Sequence, residues 1–273
     1  MPIIALTREM GSRGKDVAAG LGEALGLPVI YHEVIDHLAD RMRVRRSHVT
    51  RLLEGGASLV ERMTADRTSL FLYSADEIVA ACLKGNGAIV RGWGATHLLR
   101  DISHVVTARV CAPRELRVQR MMERLNTSDA ELVAEEVHRS DEAHAAIMRR
   151  NFGVQWSDPE HYDLVLNTAR VGVAECVDEI LRLVRSPEFA ETERSRRQLE
   201  DLALSARVWA ALRRTPETRS TRASVAAEAG VILVSNCGTG ELLRIVEVAA
   251  GVPGVRDVRY RPQDGLPQRA PFH

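Results

Sequence analysis

The stretch Ile3–Leu25 reads IIAL (3–6), TREMGSRGKD (7–16) and VAAGLGEAL (17–25): a short apolar run, a polar loop bearing two glycines, and an amphipathic helix. Where such a loop enters a helix, several backbone N–H groups lack an acceptor and the helix dipole backs them, so the turn favours a bound anion. No other segment points so directly at a ligand.

The phosphate-loop signature G-x-x-x-x-G-K-[ST] uses glycines for close approach, lysine for the outer phosphates and a hydroxyl for magnesium. Setting Gly14-Lys15 on its G-K pair puts Glu9 at the first glycine and Asp16 at the hydroxyl. Setting Gly11-Ser12 on a G-S step instead puts Gly14 where the lysine belongs. Both registers stay open.

At 273 residues and 45% hydrophobic, the chain predicts one large domain and a small one, each with a core. Lysine plus arginine and aspartate plus glutamate balance at 37 each, so no overall field favours nucleic acid or an anionic membrane. The start MPIIALTRE carries no basic leader before an apolar stretch, and no window reaches membrane-spanning length; a cytoplasmic address is expected. Cys82, Cys111, Cys176 and Cys237 lack C-x-x-C spacing, so free thiols are expected and no metal site.

Apolar runs at Ile3–Leu6, Ala88–Val90, Val105–Val110 and Tyr162–Leu166 alternate with helical segments at 34–42, 69–83, 113–125, 129–149 and 173–184. That alternation predicts an α/β fold, a parallel sheet flanked by helices, over residues 1–185. Residues 186–198 form a charged linker or exposed helix. A helix at 199–214, strands at 223–229 and 231–235, a helix at 241–250 and a strand at 255–261 follow, predicting a small αββαβ domain over 199–262. The tail 263–273 is expected to be disordered.

Five ordered motifs make residues 3 to about 185 resemble the cytidylate kinase-like family, relatives of the nucleoside monophosphate kinases. They are TREMGSRG (7–14), VRGWGATHLLRD (90–101), CAPRELRVQRMMER (111–124), SDEAHAAIMRRNFGVQW (140–156) and YDLVLNTARVG (162–172). The resemblance implies a P-loop kinase-like five-stranded parallel sheet. It also implies ATP with Mg2+ at the loop, through Arg8, Gly11, Ser12, Arg13, Gly14, Lys15 and Asp16, and a pyrimidine nucleoside monophosphate such as CMP or dCMP as acceptor. Lys15, Arg117, Arg120, Asp141 and Arg149 would act in the transfer; Asp36, Arg91 and Gly92 would contact the acceptor. Residues 199–262 resemble a BON domain through AGVILVSN (229–236) and AAGVPGVRDVRYR (249–261), with Asn236 where that family prefers glycine. Such domains associate with phospholipid surfaces or protein partners.

Departures are equally informative. Glu142 stands where the family has lysine, His144 where it has arginine, and Trp93 in place of the arginine of G-R-G, with Arg91 two residues before it. Phosphoryl transfer depends on cations placed around developing charge, so a nucleotide-binding regulator without catalysis is the alternative. Arg117, Arg120 and Arg124 share one helix face and are able to close on a phosphate. His32-Glu33 with His37 misses the zinc motif H-E-x-x-H by one residue. The run Arg41, Arg43, Arg45, Arg46 and Arg51 has no interleaved aromatics and reads as a solvated surface.

Overall fold

The computed structural model describes residues 1–54, 66–92 and 94–261, without the side chains of residues 32, 33, 53, 54 and 67. The expected tail, Trp93 and the side chains of the His32-Glu33 pair fall outside what is described. The chain divides into two compact units: Met1–Ala65 with Lys84–Glu191, and Asp66–Leu83 with Thr192–His273.

The first unit is built on strands β1 (Ile3–Arg8), β2 (Val29–Ile30), β3 (Ala88–Arg91), β4 (Val105–Cys111) and β5 (Leu164–Asn167). All pairs are parallel and the order is β2-β3-β1-β4-β5, so β1 is central. Central strands of a parallel sheet are covered on both faces, and Ile3 to Leu6 are each 0% exposed, which is why that run is uninterrupted. Helices α1 (Gly14–Leu25), α2 (His32–Met42) and α3 (Arg46–Glu54) belong to the first unit. Helix α4 (Arg67–Leu83) belongs to the second unit, while the short α5 (Ala95–Leu98), α6 (Arg114–Leu125), α7 (Ala130–Phe152) and α8 (Val173–Val184) complete the first.

Strand β4 shows how period-two alternation divides labour. Val106, Ala108 and Val110 join Val17, Leu21, Cys176, Val177 and Ile180 of α1 and α8 in the main core. The intervening Thr107 and Arg109 serve polar partners instead: Thr107 donates its N–H and its hydroxyl to Asp163 Oδ2, each at 2.7 Å. A smaller cluster of Met121, Val133 and Val137, with Met10, Val118 and Met122 against it, joins α6 to α7.

The second unit holds α4, α9 (Glu193–Arg214), β6 (Ser224–Glu228), β7 (Val231–Ser235), α10 (Thr239–Ala250) and β8 (Asp257–Tyr260). Beyond α4 its elements run helix, strand, strand, helix, strand. Strand β7 is central, antiparallel to β6 and parallel to β8. Ala229 and Gly230 both have positive φ, 48° and 83°, the two-residue turn whose twist suits a hairpin. Helix α9 opens on a capping box in which Thr192 and Ser195 satisfy each other's main-chain N–H, so the charged stretch after Ser186 becomes helical at Glu193. Helix α4 packs along α9, and Arg213 of α9 reaches Asp66 at 3.0 Å and Ser69 Oγ at 2.9 Å.

Candidate functional site

Helix α1 begins at Gly14, with Arg13 before it in the left-handed conformation, φ 60°. The N–H groups of Asp16 and Val17 both turn back to the Arg13 carbonyl, whereas those of Gly14 and Lys15 have no intrahelical acceptor. Gly14 therefore stands at the first helical position and Lys15 at the second, both at the carboxyl end of β1. Arg13, Lys15 and Asp16 are exposed; Ser12 is buried, its hydroxyl donating to Glu9 O at 2.8 Å.

The glycines of this loop serve packing. Gly11 has φ +79°, and a Cβ there would lie 2.6 Å from the Arg117 carbonyl oxygen. A Cβ on Gly14 would meet the Arg8 Cβ at 2.5 Å. The loop is thus clamped between the Arg8 stem and the first turn of α6, and residues 11 to 16 line neither of the two cavities beside it.

Glu9 is the hub of that clamp. Its carboxylate accepts from Arg109 Nη2 at 2.8 Å and from Ala112 N–H at 3.1 Å, with Arg117 Nε at 3.3 Å. Arg117 also donates from Nη1 and Nη2 to Asp141 at 3.1 and 2.8 Å, and to the main-chain oxygens of Ala112 and Met10. Its donors are therefore engaged inside the protein. Arg120 donates to Thr168 Oγ1 at 2.9 Å and to Thr168 O at 2.8 Å, while the Thr168 hydroxyl donates to Ser12 O at 2.9 Å. Burial, and then the neighbouring Arg13 charge, hold the Arg120 guanidinium below its ordinary pKa.

Two cavities flank Trp156. One, about 40 Å³, is lined by Thr7, Arg8, Tyr31, Arg91, Gly92, Gly94, His144, Ile147, Met148 and Trp156. Arg8 and Arg91 end the adjacent strands β1 and β3, and the Arg91 guanidinium lies 3.8 Å from the Tyr31 ring centre. His144 donates from Nδ1 to Ser140 O at 2.7 Å and stacks on Trp156 at 5.0 Å. The other cavity, about 590 Å³, is lined by Glu9, Arg109, Asp141, Glu142, Arg149 and residues 153–157, among others. Trp156 is the shared wall: its indole N–H donates to Thr7 Oγ1 at 2.9 Å, and the Arg109 guanidinium lies over its ring at 4.2 Å.

The expected residues thus fall into groups. Arg8, Arg91 and Gly92 meet at the small cavity; Asp141 and Arg149 meet at the large one; Arg117 and Arg120 hold the loop. Asp36 pairs with Arg46 at 3.2 Å on the surface and lines neither cavity. Arg109, Tyr31, Trp156 and Thr168 were not singled out by sequence, although the last two lie within quoted motifs; Glu9 was noted only as standing at the first glycine of the phosphate-loop signature. A charged residue at an inward position of an apolar strand was the signal available for Arg109. Among the described residues no group of three or more His, Cys, Asp or Glu is placed to hold a metal, and no helix is long and apolar enough to cross a membrane.

A central parallel strand, a tight glycine-bearing turn and a helix amino end place this unit in the class of α/β folds with a phosphate-loop-like turn after the first strand. The model of the cytidylate kinase-like family matches residues 3–170, and the chain belongs to that family. Among solved structures, an uncharacterized protein from Eubacterium ventriosum is similar with a TM-score of 0.54 and 20% identity, over 68% of this chain and 99% of that one; the likeness shows a shared fold. Shikimate kinases from Bacteroides thetaiotaomicron and Acinetobacter baumannii align with TM-scores of 0.43 and 0.42, at 16% and 15% identity, over 68% and 70% of this chain and 99% and 96% of theirs. No curated protein matches the chain.

Proposed function

We propose that the first unit binds ATP at the amino end of α1 and transfers its terminal phosphoryl group to a pyrimidine nucleoside monophosphate such as CMP or dCMP, in the cytoplasm. The observation that carries this is the convergence of Arg8 and Arg91 on one cavity walled by Tyr31, His144 and Trp156. Two guanidiniums suit a phosphate, and flat rings suit a base. Membership of the cytidylate kinase-like family supports the same reaction class.

The exposed Arg13 and Lys15, the unpartnered helical positions Gly14 and Lys15, and nearby Arg120 fit a polyphosphate. Magnesium would arrive on the nucleotide, held by phosphate oxygens and water, and would neutralise charge on the transferred group. At about 40 Å³ the small cavity holds only a few waters, so acceptor binding requires α7 or Arg8 to shift. Coupled ADP release with a panel of monophosphates tests the proposal; no turnover with any acceptor would reject it.

One arrangement favours a second reading, a nucleotide-binding regulator without catalysis: His144 is committed to Ser140 O and Trp156, and Glu142 adds negative charge to the large cavity. Calorimetric binding of ATP or CMP without turnover selects it. For the second unit we propose a BON-like module that docks a protein or a phospholipid surface. Its element order supports this, as does Asn236, which adopts φ +57° where that family prefers glycine. Negative results in both liposome sedimentation and pull-down would count against it.

A further inference from the structure

The Glu9 carboxylate accepts from two donors of β4 and the residue after it, beside the charge of a third group at the start of α6. Arg109 Nη2 donates to Oε1 at 2.8 Å, Ala112 N–H donates to Oε2 at 3.1 Å, and Arg117 Nε lies 3.3 Å from Oε2. Both arginines are nearly sealed from solvent, at 4% and 5% exposure. A buried guanidinium and a main-chain amide that donate to one carboxylate, with the Arg117 charge 3.3 Å away, form a recognition set for an oxyanion.

Glu9 does not depend on that carboxylate for its own place. Its N–H donates to Val110 O at 3.1 Å, continuing the β1–β4 pairing, and its carbonyl accepts from the Ser12 N–H at 3.2 Å and the Ser12 hydroxyl at 2.8 Å. Rotation of the side chain would therefore leave these main-chain bonds of the loop intact. The side chain has somewhere to go, because Glu9 and Arg109 both line the cavity of about 590 Å³, with Asp141, Arg149 and Gln155 around it. Arg117 keeps its paired contacts to Asp141 throughout.

We propose that Arg109 and the Ala112 amide, backed by the Arg117 charge, form an oxyanion site for a phosphoryl group, which Glu9 fills with its own carboxylate when no ligand is bound. Glu9 and Arg109 give the site its opening to this cavity, which no residue from Gly11 to Asp16 lines. A phosphate carrying more than one negative charge displaces the singly charged carboxylate into the cavity, and the measured affinity is lowered by the exchange. The inference goes beyond nucleotide phosphorylation, since it holds for any phosphoryl anion whether or not transfer follows.

The test is calorimetric titration of the full chain with inorganic pyrophosphate at fixed salt, comparing the native protein with Glu9→Gln, which keeps the shape and an acceptor for Ala112 N–H. Glu9→Gln is expected to bind about tenfold more tightly, a gain that Arg109→Gln in the same background abolishes. Glu9→Asp, with its charge withdrawn by one methylene, is expected to fall between the two. Equal or weaker binding by both Glu9 variants, no binding by any of the proteins, or a gain that survives loss of Arg109 would overturn the site. A parallel ATP titration reads the nucleotide proposal separately, so that either one can fail alone.

Discussion

Arg117 sets its two terminal nitrogens against the two carboxylate oxygens of Asp141, at 3.1 and 2.8 Å, and so ties α6 to α7 from a position only 5% exposed. A bidentate pair on a buried guanidinium is costly to break from the carboxylate side, because the surviving charge is left in a medium that solvates it poorly. Asp141→Asn is expected to lower stability by about 1.5–3 kcal/mol, since Glu9 still faces the guanidinium. A shifted urea midpoint checks it; an unchanged midpoint would show that the pair contributes nothing net.

Gly11→Ala combines a left-handed φ with a Cβ 2.6 Å from the Arg117 carbonyl oxygen. A loss of about 2–4 kcal/mol is expected, because neither main chain has room to yield. Gly26, also at positive φ but with nothing within 4 Å of its missing Cβ, is the control. Its replacement by alanine should cost only about 1 kcal/mol. Equal losses at the two sites would mean that contact with α6 is unimportant.

His97 gives stability a pH dependence. Burial first, then the charges of His161 and Arg100, push its pKa down from 6.5 to about 4. A histidine kept neutral in the folded state stabilises fully above its unfolded pKa; the contribution fades as pH falls from about 6.5 towards 4, where only the unfolded chain takes up the proton. The total is on the order of 3 kcal/mol. Denaturation midpoints at pH 7 and pH 4.5 should therefore differ more in the native protein than in His97→Phe, which keeps a ring near Phe152.

Arg91 is the acceptor-side cation whose removal is easiest to read. Arg91→Met keeps an unbranched side chain at the small cavity but deletes the guanidinium that lies over Tyr31. CMP affinity is expected to fall by about 1.5–3 kcal/mol, roughly ten- to a hundredfold, with ATP affinity nearly unchanged. Equal losses for the two ligands would argue against separate donor and acceptor positions.

Much of the first unit was legible because its sequence signals are local. The run IIAL between polar punctuation, and the 3.6-residue stripe of VAECVDEILRLV, specify a buried strand and an amphipathic helix without reference to anything distant. Strand β2 escaped notice since two residues, Val29 and Ile30, carry no period. The site was less legible for a related reason. Glu9, Arg109 and Arg117 are scattered along the chain, and only the β1–β4 register, which sets Thr7 beside Arg109, brings them together. Of the three only Arg117 was expected to meet a phosphate, whereas the geometry makes all three one another's counter-ions.

Helix α4 carries a last consequence. Its apolar residues Leu70, Leu72, Tyr73, Ile78, Val79 and Cys82 are buried within a unit whose remaining parts begin only at Thr192. On the ribosome this greasy segment must therefore wait for roughly 110 further residues, on the order of ten seconds at ordinary synthesis rates, before α9 arrives to cover it. During that interval it is a natural target for chaperones, and a shortened gene ending near residue 191 would never supply its cover at all.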